Sequence, residues 1–272
     1  MKIVSTGKTI STTEYLERKR RREHRRLVIY AILAVTFCVL AVFFLKLSRF
    51  QITNIKISGA VSTSPQLVEE VVTQILVQKY LWLIPHSNAF IYPNTAIKKM
   101  LLRKFPRFSS VEINLEGLKT LRVTAIEREP FALYCAPDVC YFLDDLGFIF
   151  DTAPIFSEGV YFNYSLETPL EAPLGSQFLP VSEFEALSGF VEKIKDLGVA
   201  PTSLILSREE VDLKLEGGAL IKWERTADLS GLSANLEAFL GSEAIKGQKD
   251  FWSKLSVLDM RTPNKVFYSF RE

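Results

Sequence analysis

Nineteen consecutive residues without a charge, LVIYAILAVTFCVLAVFFL from Leu27 to Leu45, interrupt an otherwise mixed pattern near the start of the chain. As a helix rising 1.5 Å per residue they extend about 28 Å, close to the depth of a bilayer's hydrocarbon layer. No polar face breaks the run, which argues against a helix buried in a protein core. The run is also longer than the apolar part of a secretory leader, and Leu45-Lys46-Leu47-Ser48 offers no small-x-small cleavage site. The pattern predicts one uncleaved membrane anchor over 27–45.

Beyond the anchor the periods change. FQITNIKISG, Phe50 to Gly59, alternates imperfectly through Ile52, Ile55 and Ile57 and ends at a glycine, which reads as a strand and a turn. Ser64-Pro65 is a helix start, and Leu67, Val68, Val71, Val72, Ile75 and Leu76 form an amphipathic stripe that predicts a helix to about Tyr80. A second helix is predicted from Asn94 to Phe105, with Ile97, Leu101 and Phe105 on one face and Pro106 as its stop. Two alternating strands follow, one on Val111, Ile113 and Leu115, the other on Leu121, Val123 and Ala125, joined at Gly117. Residues 50–127 thus read β-α-α-β-β, enough for a small domain.

Residues 128–272 are richer in strand. Val160 to Tyr164 is apolar and aromatic. Ser182-Glu183-Phe184-Glu185 has the form of a capping box, opening a helix on Phe184, Leu187, Val191 and Ile194 that Gly198 ends. VDLKL and ALIKW flank Gly217-Gly218, a hairpin signal. A helix over Leu229 to Leu240 and a last strand pair, KLSVLDM and KVFYSF, complete the region. The fold class expected is α+β: a membrane helix, a β-α-α-β-β domain, then a hairpin-rich mixed sheet with flanking helices.

Composition matters once it is divided by position. Residues 1–26 hold nine Lys/Arg against three Glu, and the remainder holds 24 against 28 acids. Because Lys and Arg are retained on the cytoplasmic side of a membrane, the basic tail 1–26 is expected inside and the remaining body outside. The run RKRRREHRR beside a span is suited to anionic lipid rather than to nucleic acid.

Candidate chemistry concentrates in IEREPFALYCAPDVCYFLDDLGFIF, Ile126 to Phe150. A glycosidase would need two carboxyls facing one sugar bond, and no apolar cleft signature accompanies these acids. The chain's two histidines, His24 in the tail and His86 in a proline-flanked loop, do not suit a Ser-His-Asp arrangement, and no G-x-S-x-G elbow is present. Gly7-Lys8-Thr9 resembles the end of a phosphate loop, but Lys2 stands where its first glycine belongs. With Cys38 in the anchor, Cys135, Cys140 and His86 make a poor zinc set. No catalytic residue, metal, cofactor or small-molecule substrate is expected. Cys135 and Cys140, with four residues between them and strand-like flanks, are expected opposite one another in a hairpin and, in an exported body, disulfide-bonded. Asp144 and Gly147 read as turn residues, and Glu127 and Arg128 as an ion pair at a domain junction closed by Pro130.

Taken together, these motifs resemble the FtsQ/DivIB family of bacterial cell-division proteins. The match is carried by Ile55-Lys56-Ile57-Ser58-Gly59, Glu127-Arg128-Glu129-Pro130, the Asp144-x-x-Gly147 hairpin within Leu143 to Phe150, and Leu258-Asp259-Met260-Arg261, in that order behind the anchor. It departs from the family at Gly117-Leu118, where a proline is common, and in having the Cys135/Cys140 pair. The resemblance implies that residues 50–127 form a POTRA (polypeptide-transport-associated) domain used in recruitment. It also implies that the last strands of 128–272 bind an FtsB/FtsL-type coiled coil among other division proteins at the septum, on the periplasmic or extracellular side of the cytoplasmic membrane. Met260, Arg261, Lys265, Phe267 and Tyr268 are the residues placed there, with one of the two rings expected in the core by strand alternation. A POTRA-bearing transport or assembly factor and an anchored envelope enzyme or glycan-binding protein are the other classes open to the sequence.

Overall fold

The computed structural model describes residues 12–156, 159–243, 245–246, 248 and 251–271. The start of the basic tail, including Gly7-Lys8-Thr9, lies outside the described residues. Helix α1 runs unbroken over Thr12–Leu45, carrying the basic stretch directly into the apolar one. Its segment Glu17–Leu45 is long and apolar enough to cross a membrane, and none of the residues in its apolar window is buried.

The chain forms two compact units that interleave in sequence. The first holds α1 and the chain after it to Ser58, Gln66–Ile97 and Ile113–Val123; the second holds Gly59–Pro65, Lys98–Glu112 and the described residues from Thr124 onward. After a short 3-10 turn at Ser48–Phe50 come β1 (Asn54–Ser58), α2 (Pro65–Leu76), β2 (Lys79–Tyr80), β3 (Ile84–Pro85), α3 (Asn94–Lys104), β4 (Phe108–Glu116) and β5 (Thr120–Glu127). Strands β1, β5 and β4 form a three-stranded sheet in that order. The apolar stripe of α2 is buried at Val68, Val71, Val72, Ile75 and Leu76, and α3 buries Ile97 and Leu101 completely.

The α2 helix stops at Leu76 rather than near Tyr80. Lys79 and Tyr80 instead pair antiparallel with Pro85 and Ile84, and the Leu83 amide donates to the Tyr80 carbonyl to close a tight turn. Leu81 and Trp82 at its tip have φ of 44° and 65°. Asn and Gly are the ordinary occupants of such a pair, and a residue with a Cβ is strained there by about 1–2 kcal/mol.

The second unit is built on a nine-stranded mixed sheet, ordered β14-β13-β12-β11-β10-β9-β6-β7-β8. Its strands are β6 (Ala132–Cys135), β7 (Cys140–Leu143), β8 (Ile149–Thr152), β9 (Asn163–Leu166), β10 (Pro201–Leu206), β11 (Glu210–Leu215), β12 (Leu220–Glu224), β13 (Leu255–Asp259) and β14 (Phe267–Phe270). Three helices accompany it: α4 (Val181–Asp196), α5 (Leu229–Leu240) and the short α6 (Phe251–Lys254). The β6–β9, β9–β10 and β12–β13 pairs are parallel and the others antiparallel. One core joins Tyr134, Leu143, Tyr164, Leu204, Leu213, Ile221, Trp223 and Leu258 to Phe184, Phe190 and Ile194 of α4 and Leu236 of α5. A smaller cluster of Leu133, Phe142 and Phe150 forms separately, packed by Phe156 and Tyr161.

Helix α4 begins two residues earlier than its capping-box pattern suggests. Pro180 is the N-cap, with its carbonyl accepting from the Glu183 and Phe184 amides. Glu183 is drawn to Arg225, whose Nε and Nη2 lie 3.0 and 2.8 Å from its Oε1. By contrast α5 is capped as expected for an Asp before a helix, the Asp228 carboxylate accepting from the Ser230 and Gly231 amides.

The two edges of the large sheet differ. At β8 a segment of irregular chain is hydrogen-bonded alongside, with the Ile149 amide donating to Ser176 and the Gly175 amide to Ile149. At the other end β14 pairs with β13 alone among the described residues.

Candidate functional site

The stretch from Glu127 to Asp151 is held by polar contacts centred on Glu127, on the Arg128–Asp144 pair and on the Arg107–Asp151 pair. Glu127 and Arg128 turn apart and do not pair with each other. The Glu127 carboxylate accepts from the Ser62 amide at 3.1 Å and the Thr63 amide at 3.0 Å. Partial burial works against its charge, but these donors outweigh that cost and hold its pKa below the ordinary 4.5. Arg128 pairs with Asp144 through Nη1. Its Nε donates to the Pro106 carbonyl at 3.2 Å, and its guanidinium lies 4.2 Å from the Phe148 ring centroid. The correction has a simple reason: successive residues of an extended chain point to opposite faces.

Asp144 is buried, at 3% exposure. One carboxylate oxygen accepts from the Leu146 and Phe148 amides at 3.0 and 2.8 Å, and the other faces Arg128. That arrangement closes the turn and satisfies the buried charge at once. Gly147 completes it with φ of 76°. A Cβ there would sit 2.6 Å from Cγ of Phe184, so glycine is required both by the backbone and by the ring against it. Pro130 lies in exposed, irregular chain just ahead of β6. A parallel contact joins Arg107 to Asp151, with Nη2 and Nε at 2.7 and 2.9 Å from Oδ2.

Cys135 and Cys140 face one another across the β6–β7 hairpin and are disulfide-bonded, with the Ala136 amide donating to Val139 inside the loop. Both pack on the Leu133, Phe142 and Phe150 cluster.

At the open end of the sheet the five residues singled out from sequence separate into three roles. Met260 is 4% exposed and belongs to the main core, not to the surface. It lies two residues beyond Leu258, on the same inward face, and its amide is bonded to the Lys222 carbonyl. Arg261 is exposed but fixed: it bridges Asp259 and Glu210, with Nη1 2.7 Å from Glu210 and Nε 2.9 Å from Asp259 Oδ1. The hydrogen bonds to Asp259 raise its pKa further above the guanidinium norm, and those from Arg261 lower that of Asp259. Lys265, Phe267 and Tyr268 are exposed. Neither ring is in the core: Phe267 is 55% and Tyr268 44% exposed. Tyr268 and Phe270 lie on one face, with Tyr268 5.7 Å from Phe239 of α5 and Phe270 5.9 Å from Phe251 of α6. Phe267 points the other way, opposite Asp259 in the β13 register. A half-covered aromatic strand with a free edge and a fixed cation beside it is suited to adding a partner strand or helix.

Of the two histidines, His24 lies on α1, and His86 packs at a tilt against Tyr80, ring centroids 4.1 Å apart, with Nδ1 3.1 Å from the Ile75 carbonyl. Sequence reasoning missed the Tyr80–Leu83 turn. Its signal, two large apolar residues between short β-prone runs, lacks the usual Asn-Gly.

The class defined by these observations is a mixed α+β protein, with one N-terminal helix of membrane-spanning length and a large mixed sheet whose β14 edge has no further strand among the described residues. Compared with known proteins, the chain matches no family model and no curated protein.

Proposed function

We propose that this protein is a non-catalytic, membrane-anchored scaffold of the bacterial division machinery, which holds other division proteins together at the septum by protein–protein binding. Its body lies outside the cytoplasmic membrane, residues 50–127 act as a POTRA-type recruiting domain, and β14 is the docking edge for a coiled-coil partner of the FtsB/FtsL type. The observation that carries this reading is the exposed aromatic strand β14, which pairs with β13 alone among the described residues at one end of the sheet, while the 175–178 segment is hydrogen-bonded at the other end. An open, apolar edge is an aggregation hazard unless a partner occupies it. The order of the four sequence motifs behind the anchor supports the same family reading.

Three acids of 127–151 have structural tasks, which supports a binding role over a catalytic one. Glu127 closes on the Ser62–Thr63 amides, Asp144 on Arg128 and its own turn, and Asp151 on Arg107. Depletion of the protein in its host tests the reading. Filamentous cells with otherwise normal envelope-protein assembly are expected; normal septation would reject it, and defective envelope assembly with normal septation would favour a transport role.

A further inference from the structure

The first unit exposes a second apolar feature that the scaffold reading does not use. Leu81 and Trp82, at the tip of the β2–β3 turn, are 87% and 92% exposed and hold positive φ where smaller residues would fit without strain. Val77, Leu83 and Phe90 nearby are also exposed. Surface leucines occur singly on many proteins, but a strained pair at a turn tip beside three more apolar side chains forms a patch.

What covers the patch is indicated by its attachment to α1. The Leu45 carbonyl, at the end of the apolar run, accepts from Asn88 Nδ2 at 2.7 Å and Gln51 Nε2 at 2.9 Å. Asn88 is fully buried, and its Oδ1 accepts from the Phe90 amide. The Phe44 ring lies 4.7 Å from Phe50, which lies 5.3 Å from Phe90. The Tyr80 hydroxyl donates to the Ile91 carbonyl, tying the turn to the same segment. Phe44 belongs to the last turn of the apolar run, so this series of contacts keeps the patch close to the depth at which α1 leaves the hydrocarbon. From Val71 to Ile97 there is no Asp or Glu, while Lys79, Lys46 and Arg49 supply cations. Tyr and Trp beside Lys and Arg at the end of a span is the composition of a membrane interface.

We propose that the Tyr80–Leu83 turn, with Phe90, is a second membrane contact, inserting Leu81 and Trp82 into the headgroup layer of the leaflet where the C-terminal end of α1 emerges. The contact rests on the reading of α1 as a membrane span. With two attachments the first unit is oriented on the bilayer instead of swinging about one helix. The occupant is phospholipid interface, whose mixed polar and apolar character suits Trp better than bulk water or hydrocarbon.

The test uses the full chain in nanodiscs of phosphatidylcholine and phosphatidylglycerol with brominated acyl chains. Tryptophan emission should be partly quenched, and the quenched part should be lost in Trp82→Phe. A second variant, Leu81→Asn with Trp82→Gly, suits the backbone of the turn; it should keep the thermal midpoint and also lose the quenching. Equal quenching with and without Trp82, no quenching in the wild type, or shielding of Trp82 only when another protein or a second copy is added would each overturn the proposal. Failure of the chain to stay with the bilayer after alkaline extraction would instead remove the premise that α1 spans it.

Discussion

Gly147 shows how much one residue carries here. It serves a backbone with φ of 76° and leaves room for the Phe184 ring, 2.6 Å from where a Cβ would be. Gly147→Ala therefore meets two penalties, left-handed strain and overpacking, and should lower stability by about 2–4 kcal/mol, read as a shift in urea midpoint. Glu127 makes a pH-dependent contribution. Its folded pKa is depressed, so the stability it adds is fully present above the unfolded value near 4.5 and is lost as pH falls through the lower folded value. The stability difference between wild type and Glu127→Gln should be constant from pH 7 to 5 and shrink toward zero below that; a difference growing on acidification would reverse the sign. Turn chemistry at this scale was legible in the Asp-x-x-Gly spacing. The partners of Glu127 and Arg128 were not, because adjacent residues on a strand face opposite ways, and Ser62 and Asp144 are reached only through the fold.

Among the elements, the β6–β7 hairpin and the β13–β14 pair carry the interest. Closing a loop as short as Cys135–Cys140 removes limited denatured-state entropy, so Cys135→Ser with Cys140→Ser should cost about 2 kcal/mol in denaturant unfolding and leave the sheet intact. Strand periodicity revealed most of the sheet, including the hairpin at Gly217-Gly218, where both residues have φ of 85°. The motif resemblance, by contrast, misplaced Met260 by grouping it with the exposed Arg261, although Leu258 and Met260 share one parity. Periodicity erred at the last strand, where it put one ring of Phe267 and Tyr268 in the core. Alternation assigns a side chain to a face, not whether that face is covered, and at the last strand the covering is incomplete. The helix stop at Leu76 was hidden for a related reason: apolar residues continue at Val77 and from Tyr80 to Leu83, and only the pairing of Tyr80 with Ile84 ends the helical reading.

At the scale of the molecule, the charge division along the sequence agrees with the architecture: a basic helix start, an apolar run without a buried residue, then a mildly acidic body whose last strand, β14, pairs with β13 alone among the described residues. Each part is suited to a different contact, and the scaffold account stands or falls on the last of them. Its most direct test is a photo-crosslinking residue placed at Phe267 in living cells, with Leu174, exposed in the same unit, as control. The account predicts that Phe267 captures a single-span division protein with a heptad-patterned extracytoplasmic helix, and that Leu174 does not. Capture of no such protein at Phe267, or equal capture at both positions, would contradict it.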